Sequence, residues 1–282
     1  MDAGLYVVAT PIGNLGDISQ RALDVLGSAD LIAAEDTRHS ARLLSAHGID
    51  TRLVAYHEHS GERAAEALLA RVEEGAVVAL ISDAGTPLIS DPGYRLVRAA
   101  QERGLPVVPL PGACAAVAAL SVSGLATDRF QFEGFLPAKV GARQNRLREL
   151  AAADCTLVFY EAPHRVEACL ADLVVVFGAG REAVLARELS KAYETVRRAP
   201  LGELSRLVSA DDNQRRGEIV LLVAGAGPRD TAIDDDVARW LKRLADDMPA
   251  KAAAQIAADV TGLRKKSLYE FLVAERDGDN AR

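Results

Sequence analysis

The chain has 282 residues, 49% apolar and 26% charged, a globular balance with material for more than one core. Its net charge of −7 argues against indiscriminate nucleic-acid binding but leaves local basic patches open. No apolar run reaches a membrane span, and Cys114, Cys155 and Cys169, without CxxC spacing, argue for reduced cytoplasmic thiols rather than a zinc or disulfide framework.

The start, MDAGLYVVATPIGN, has no basic region and runs straight into a strand, so no signal peptide is expected. Apolar runs at 5–9, 31–34, 77–81 and 107–110 read as strands buried on both faces, with helix-like stretches such as GERAAEALLARVEE (61–74) between them. Strands alternating with helices predict an α/β class with a largely parallel sheet up to about residue 115. RFQFEGF (129–135) alternates in period two, as a more exposed strand does. A basic helix (142–152), a strand (156–160), a helix from about Pro163 and strands near 183–187 and 218–224 follow. This different mixture sets a division between Gly112 and Phe130, giving an N-terminal α/β domain at 1–118 and a second α/β domain at 119–227. Past a polar linker (227–236), Val237, Trp240, Leu241 and Leu244 fall at helical spacing. Two more short helices flank the turn Thr261-Gly262, so 237–282 reads as a small helix-turn-helix-like unit. This tail carries nine Lys/Arg against seven Asp/Glu, a net +2 that leaves −9 on the rest.

Several familiar sites are absent, among them GxxxxGK[ST] and HExxH. His57-Glu58-His59 offers two histidines at i,i+2 without a marked third ligand, so surface or hydrogen-bonding roles are favoured and no metal is expected. Residues 178–183, GAGREA, fit the dinucleotide fingerprint, but that motif needs a strand before it and a helix after it. Here a helical stretch precedes and a strand follows, so the motif reads as a helix C-cap turn.

Three loops carry more weight: Thr10–Asp17 in TPIGNLGD, the stretch after the strand in ALISDAGTPLISDPG (79–93), and PLPGACA (109–115). In an open parallel sheet ligands bind outside the carboxyl ends of the strands, where these loops gather. Glycine lets a ligand touch main chain and proline stiffens the loop, so the three together favour a small-molecule site.

ATPIGNLGDIS, AEDTR (34–38), YHEHS (56–60), LISDAGTPLISDPG, FYEAPHR (159–165), RELSKAYE (187–194) and GEIVLLV (217–223) occur in this order. Together they closely resemble the bacterial ribosomal small-subunit RNA methyltransferase I family, the RNA-modifying branch of the tetrapyrrole-methylase superfamily. The resemblance spans about residues 4–276. It implies two α/β domains of the tetrapyrrole-methylase type, S-adenosylmethionine in the cleft between them, and usually a homodimer. It also implies methylation of the ribose 2′-hydroxyl of a decoding-region cytidine in 16S RNA, with the small ribosomal subunit as partner. Gly85-Thr86-Pro87 stands where the superfamily has Gly-Asp-Pro, so Thr86 replaces an acidic residue. By the same matching Pro11, Cys114, Ala115, Tyr160 and Glu161 fall where relatives touch the cofactor. With the loop residues Asp83, Ala84, Gly85, Thr86, Pro87, Pro111 and Gly112 they form the expected cofactor set.

A ribose hydroxyl is a poor acid, so transfer needs in-line placement, and a base is worth ~10²–10⁴-fold where one acts. Polar motif residues outside the cofactor loops are Glu35, Asp36, Arg38, His57, Glu58, Arg187, Glu188 and Lys191. From these His57, Asp36 and Lys191 are the catalytic candidates, although Asp36–Arg38 and Arg187–Glu188 read equally as structural ion pairs. For RNA, Arg38, Lys139, Arg143, Arg165, Arg264, Lys265 and Lys266 supply phosphate-binding charge. A solvated helix face and a small packing unit are the plainer accounts of the two basic clusters. Two other functions fit the same fold: methylation of a small tetrapyrrole precursor, and non-catalytic docking on the ribosome with bound S-adenosylmethionine. A nicotinamide enzyme rests on GAGREA alone.

Overall fold

The computed structural model describes residues 1–57, 60–226, 233 and 235–280. Strands and helices alternate through the first half as β1 (Gly4–Val8), α1 (Gln20–Ser28), β2 (Leu31–Ala34), α2 (Thr37–Ala46), β3 (Leu53–Ala55), α3 (Gly61–Glu73), β4 (Val77–Ile81), α4 (Tyr94–Glu102), β5 (Val107–Leu110) and α5 (Ala115–Ser123). The strands lie in the order β3-β2-β4-β1-β5, all parallel. Both faces are covered, which is why β4 is apolar throughout. Val78 and Leu80 pack with Leu68, Leu69 and Leu96 of α3 and α4, while Val77, Ala79 and Ile81 pack with Leu26 and Leu44 of α1 and α2.

The second half runs β6 (Phe130–Phe135), α6 (Val140–Leu150), β7 (Thr156–Glu161), α7 (Val166–Phe177), β8 (Glu182–Arg187), β9 (Thr195–Pro200), α8 (Leu201–Ala210) and β10 (Ile219–Val223). Its sheet has the order β6-β7-β10-β8-β9, with β6 parallel to β7 and the other pairs antiparallel. Leu147, Leu170, Leu173 and Leu204 of α6, α7 and α8 cover one face around Phe159. On the other face lies α5, whose Ala116, Ala119 and Leu120 pack with Val158, Val184, Ala186, Val220 and Leu222. Both sheets belong to one compact unit, Met1–Ala224. The division expected at 118/119 falls inside α5.

A second unit, Gly225–Arg282, holds α9 (Asp235–Asp247), α10 (Ala250–Thr261) and α11 (Lys265–Asn280). Small residues Ala253, Ala254 and Ala257 let α10 sit close to Leu241, Leu268 and Leu272. Gly262, at φ +70°, caps α10 in the left-handed conformation. The polar stretch 227–236 lies mostly outside the described residues.

GAGREA is a helix stop: α7 ends at Phe177, Gly178 takes φ +90°, and β8 follows. The sequence reading did not single out β3, β9 or α8. β3 is a half-exposed edge of three residues, too short to stand out, and β9 (TVRRAP) is an edge whose two exposed arginines break any apolar run.

One expectation is corrected in α6. Arg143, taken as a phosphate contact, is 2% exposed. Its Nε donates to Asp172 Oδ2 at 2.6 Å and its Nη1 to the Ala138 carbonyl at 3.1 Å, while Gln144 donates to Asp172 Oδ1 at 2.7 Å. Helical periodicity puts Arg143 on the same side as Leu147 and Leu150, facing α7, and a buried charge there has to be paired. Arg143→Ala should strand Asp172 and lower stability by ~3–5 kcal/mol, with Arg143→Met/Asp172→Leu regaining most of it, as read by denaturant unfolding.

Candidate active site

The carboxyl ends of β4, β1 and β5 are neighbours in the sheet, so the loops after them meet. Thr10 N donates to Gly85 O at 2.9 Å and Gly85 N returns a bond to Thr10 O at 3.0 Å. Thr86 Oγ1 donates to the Ala113 carbonyl at 2.9 Å, joining the third loop. Gly85 has φ +85°, and a Cβ there would stand 3.3 Å from Ile12 Cγ2. At Gly112 a Cβ would stand 2.7 Å from the Ala9 Cβ, closer than packed carbons allow. The thin loops let backbone approach backbone and leave space beside them.

The facing wall comes from the second sheet. Tyr160, on β7, accepts a hydrogen bond from Ala116 N at 3.2 Å and is edge-on to Phe132 and Phe135, with centroids 4.9 and 5.7 Å away. Burial, with Cys114 beside it, pushes the Tyr160 phenol well above its ordinary range. Burial alone would also raise Glu188, but hydrogen bonds from Lys191 and from the Glu218 amide outweigh it and hold its pKa low. Gly217 makes this possible, since a Cβ there would fall 2.3 Å from the Glu188 carboxyl. Lys191 spans the two halves. Its stem crosses Gly13, where a Cβ would lie 2.3 Å from Lys191 Cγ, and its ammonium bonds Glu188 at 2.9 Å and pairs with Glu218 at 3.1 Å. Burial opposes that charge, yet the two carboxylates raise the Lys191 pKa overall.

Between the walls lies a cavity of about 350 Å³. Ile12, Ala84, Gly85, Thr86, Cys114 and Ala115 line one side, and Tyr160, Glu161, Ala186, Leu189 and the segment 217–220 line the other. A larger cavity of about 970 Å³ lies alongside, bounded by Glu35, Tyr56, His57, Tyr94 and Arg95. Ser90 and Asp91 line both.

Of the expected cofactor residues, Ala84, Gly85, Thr86, Cys114, Ala115, Tyr160 and Glu161 line the smaller cavity. Pro11, Asp83, Pro87, Pro111 and Gly112 stand in the loops without lining it. Among the catalytic candidates, His57 lines the larger cavity. Asp36 lines neither: it caps α2, accepting from the Arg38 amide at 2.8 Å and the His39 amide at 3.4 Å, and the first of these bonds leads in holding its pKa down. Arg38 is exposed, 3.8 Å from Asp36, and Lys139 is exposed at the start of α6. Arg165 is corrected as a phosphate contact. Its guanidinium turns inward, Nη2 donating to the Leu136 carbonyl at 2.5 Å and Nε lying 3.2 Å from Glu161. In the tail, Lys265 bonds Gln255 at 2.7 Å and Lys266 lies 3.8 Å from Glu270. Sequence reasoning missed Ser90 and Asp91, quoted only as part of the second loop, and the wall at Ala186, Leu189 and 217–220, to which it gave no role.

The family model of the tetrapyrrole (corrin/porphyrin) methylases matches residues 4–205, and that of the RsmI C-terminal HTH domain matches 231–276. A Pseudomonas aeruginosa protein named ribosomal RNA small subunit methyltransferase I is 56% identical over 273 residues, covering 96% of this chain and 97% of its own length. The chain belongs to the ribosomal RNA small subunit methyltransferase I family. Another member, from Escherichia coli O157:H7, is 52% identical over 96% of this chain and 95% of its own. Solved structures show the same fold at lower identity. Uroporphyrin-III-C-methyltransferase from Thermus thermophilus has a TM-score of 0.55 at 24% identity, covering 79% of this chain and 94% of that one. The methyltransferase CobJ has 0.58 at 22%, covering 82% and 97%. In this member of the family the Tyr160 hydroxyl is what satisfies the Ala116 amide. Tyr160→Phe should cost ~1–3 kcal/mol in urea unfolding and remove the high-pH phenol from a spectrophotometric titration.

Proposed function

We propose that this protein transfers the methyl group of S-adenosylmethionine to the ribose 2′-hydroxyl of a cytidine in the decoding region of 16S ribosomal RNA. The observation that carries this is identity of about half or more, over nearly full length, to relatives named ribosomal RNA small subunit methyltransferase I. A Thermus thermophilus structure of the same fold, TM-score 0.55 at 20% identity, is described as complexed with S-adenosylhomocysteine.

The smaller cavity fits such a ligand. Its volume of about 350 Å³ suits a small molecule, and its walls are mostly apolar, with glycine and alanine on the loop side and Phe135 and Tyr160 among the larger side chains, as a flat adenosyl group needs. Glu161 adds a buried carboxylate oxygen, Oε2, with no hydrogen-bond partner. Ala84, Gly85, Thr86, Cys114, Ala115, Tyr160 and Glu161 would hold the ligand, with Pro11, Asp83, Pro87, Pro111 and Gly112 shaping the loops. Bound there, S-adenosylmethionine supplies a methyl group already activated by its sulfonium. What remains for the protein is to orient the acceptor and exclude water, the largest part of the work when the electrophile is already activated.

The two sheets are read as the two domains, 1–118 and 119–227, and 237–282 as the tail. Arg38 and Lys139 on the body, and Arg264, Lys265 and Lys266 in the tail, are read as phosphate contacts. The family's homodimer and a cytoplasmic location belong to the same reading. The −9 charge outside the tail makes naked RNA a poor ligand, so the assembled small subunit is the expected substrate.

Labelled methyl should pass to purified small subunits lacking the modification and appear on a 2′-O-methylated cytidine after nuclease digestion, with little transfer to deproteinised RNA. No label with ligand binding intact would point instead to a tetrapyrrole precursor or a docking role. Replacing Lys265 and Lys266 by Ala should weaken subunit binding and flatten its salt dependence by ~0.7–0.9 in log–log slope per lost phosphate contact, measured by binding titration across salt concentrations.

A further inference from the structure

The two cavities meet at one place. Among the described residues, Ser90 and Asp91 alone line both the smaller cavity and the larger one. If the smaller cavity holds the methyl donor, as proposed above, an acceptor in the larger one reaches it across this shared wall. Asp91 is the ionisable group of that wall.

The wall is held in an uncommon backbone shape. Leu88 and Ser90 both have positive φ, +74° and +66°, without being glycine. On the second sheet, the bulge of β6 at Gly134 leaves room for Ser90: a Cβ on Gly134 would stand 3.0 Å from Ser90 Oγ. Such strain persists only where the surroundings fix it, and it gathers at working sites. Gly93, at φ +131°, then turns the chain directly into α4. A Cβ there would meet Leu80 at 2.9 Å.

The other polar candidates are poorly placed or unable to take a proton. Lys191 is cationic and bonded to two carboxylates. Asp36 is occupied by the α2 amides and lines neither cavity. His57 lines only the larger cavity.

We propose that Asp91 accepts the proton of the ribose 2′-hydroxyl, and that the larger cavity, beside Tyr56, His57, Tyr94 and Arg95, receives the acceptor nucleotide. Tyr94 is 65% exposed at the cavity edge, a ring on which a base can stack, and Arg95 offers a cation for phosphate. In the step, the ribose oxygen bonds the methyl carbon and the carbon–sulfur bond breaks, its electron pair passing to sulfur. The hydroxyl proton goes to an Asp91 carboxylate oxygen and from there to water.

The surroundings of Asp91 suit a base better than an ordinary carboxylate. Burial first, and the neighbouring Asp83 after it, raise its pKa against the opposing effect of a hydrogen bond from Ser82. Glu35, at the end of β2, is also raised, by burial and then by Asp91. Tyr160 faces it from the second sheet, and His57 and Arg95 line the larger cavity with it. A base with a raised pKa is charged above that pKa and loses its function as pH falls through it. The wild-type rate should therefore decline on an acid limb lying above the usual carboxylate range.

The test is Asp91→Asn and Glu35→Gln in the full-length protein, with kcat on unmethylated small subunits measured across pH. Calorimetric binding of S-adenosylhomocysteine and thermal unfolding are measured on the same samples. Asp91→Asn should lower kcat by ~10²–10⁴-fold and abolish the acid limb, with S-adenosylhomocysteine affinity and melting temperature unchanged. Glu35→Gln should keep the acid limb, since Glu35 is not among the groups that raise Asp91. Asp91→Asn with near-normal kcat, or with the acid limb intact, overturns the proposal. So does a loss of S-adenosylhomocysteine affinity matching the loss of kcat, which makes Asp91 a ligand-binding group. Loss of the limb in Glu35→Gln alone passes the role to Glu35. A wild-type protein that methylates no cytidine in the subunit defeats the underlying functional reading, and the assignment of Asp91 falls with it.

Discussion

Just past the ends of the parallel strands β1 and β4, Thr10 and Gly85 exchange two backbone hydrogen bonds in an isolated antiparallel bridge. Each is worth only ~0.5–1.5 kcal/mol net, so their importance is geometric. They fix the first loop to the second at a point where neither has bulk, and Thr86 ties in the third through the Ala113 carbonyl. Had Gly85 or Gly112 carried a side chain, the loops would be forced apart by contacts with Ile12 or Ala9. One side of the smaller cavity is therefore set mainly by main chain, which has no rotamers to lose when a ligand arrives.

The other side depends on α5. This helix starts in the loop after β5 and buries its alanines on the second sheet, so one element belongs to both halves. Its alanines permit close approach to β7, β8 and β10. The Tyr160 hydroxyl closes the remaining gap by meeting an amide of the first turn. The Lys191 stem over Gly13 makes a second crossing on the far side of the cavity. Sheet spacing and cavity width are thus set by the same few contacts.

Much of this was legible in the sequence, for identifiable reasons. Val77–Ile81 is apolar at every position because helices cover both faces of its sheet, and a run of that kind admits few other readings. The three loops were legible because glycine and proline mark turns directly. Arg143 was misread because a one-dimensional pattern records charge without direction. Arg146 and Arg148, on the same helix, keep exposed guanidinium groups that meet Glu149 and Asn145, whereas Arg143 turns in to Asp172, which lies 29 positions away. The wall from Ala186 to Leu189 and from 217 to 220 was hidden in another way. It is built by strand ends distant in sequence, and only the antiparallel pairing of β8 with β10 brings them together. Ser90 and Asp91 looked like turn residues because they are turn residues. Their second role appears only when two cavities are seen to share them.

The position of β1 has a consequence for how the protein is made. This strand leaves the ribosome ahead of both its partners, β4 at 77–81 and β5 at 107–110. At ~5–20 residues per second β4 follows after roughly 70 further residues and β5 after roughly 100, so for about 4–14 s the strand has neither neighbour and for about 5–20 s it lacks β5. Loop closure across such spans is slow and cannot begin until the partner exists. The first sheet consequently cannot close until its central strand β4 has followed, and up to that point β1 is an unpaired strand on the nascent chain.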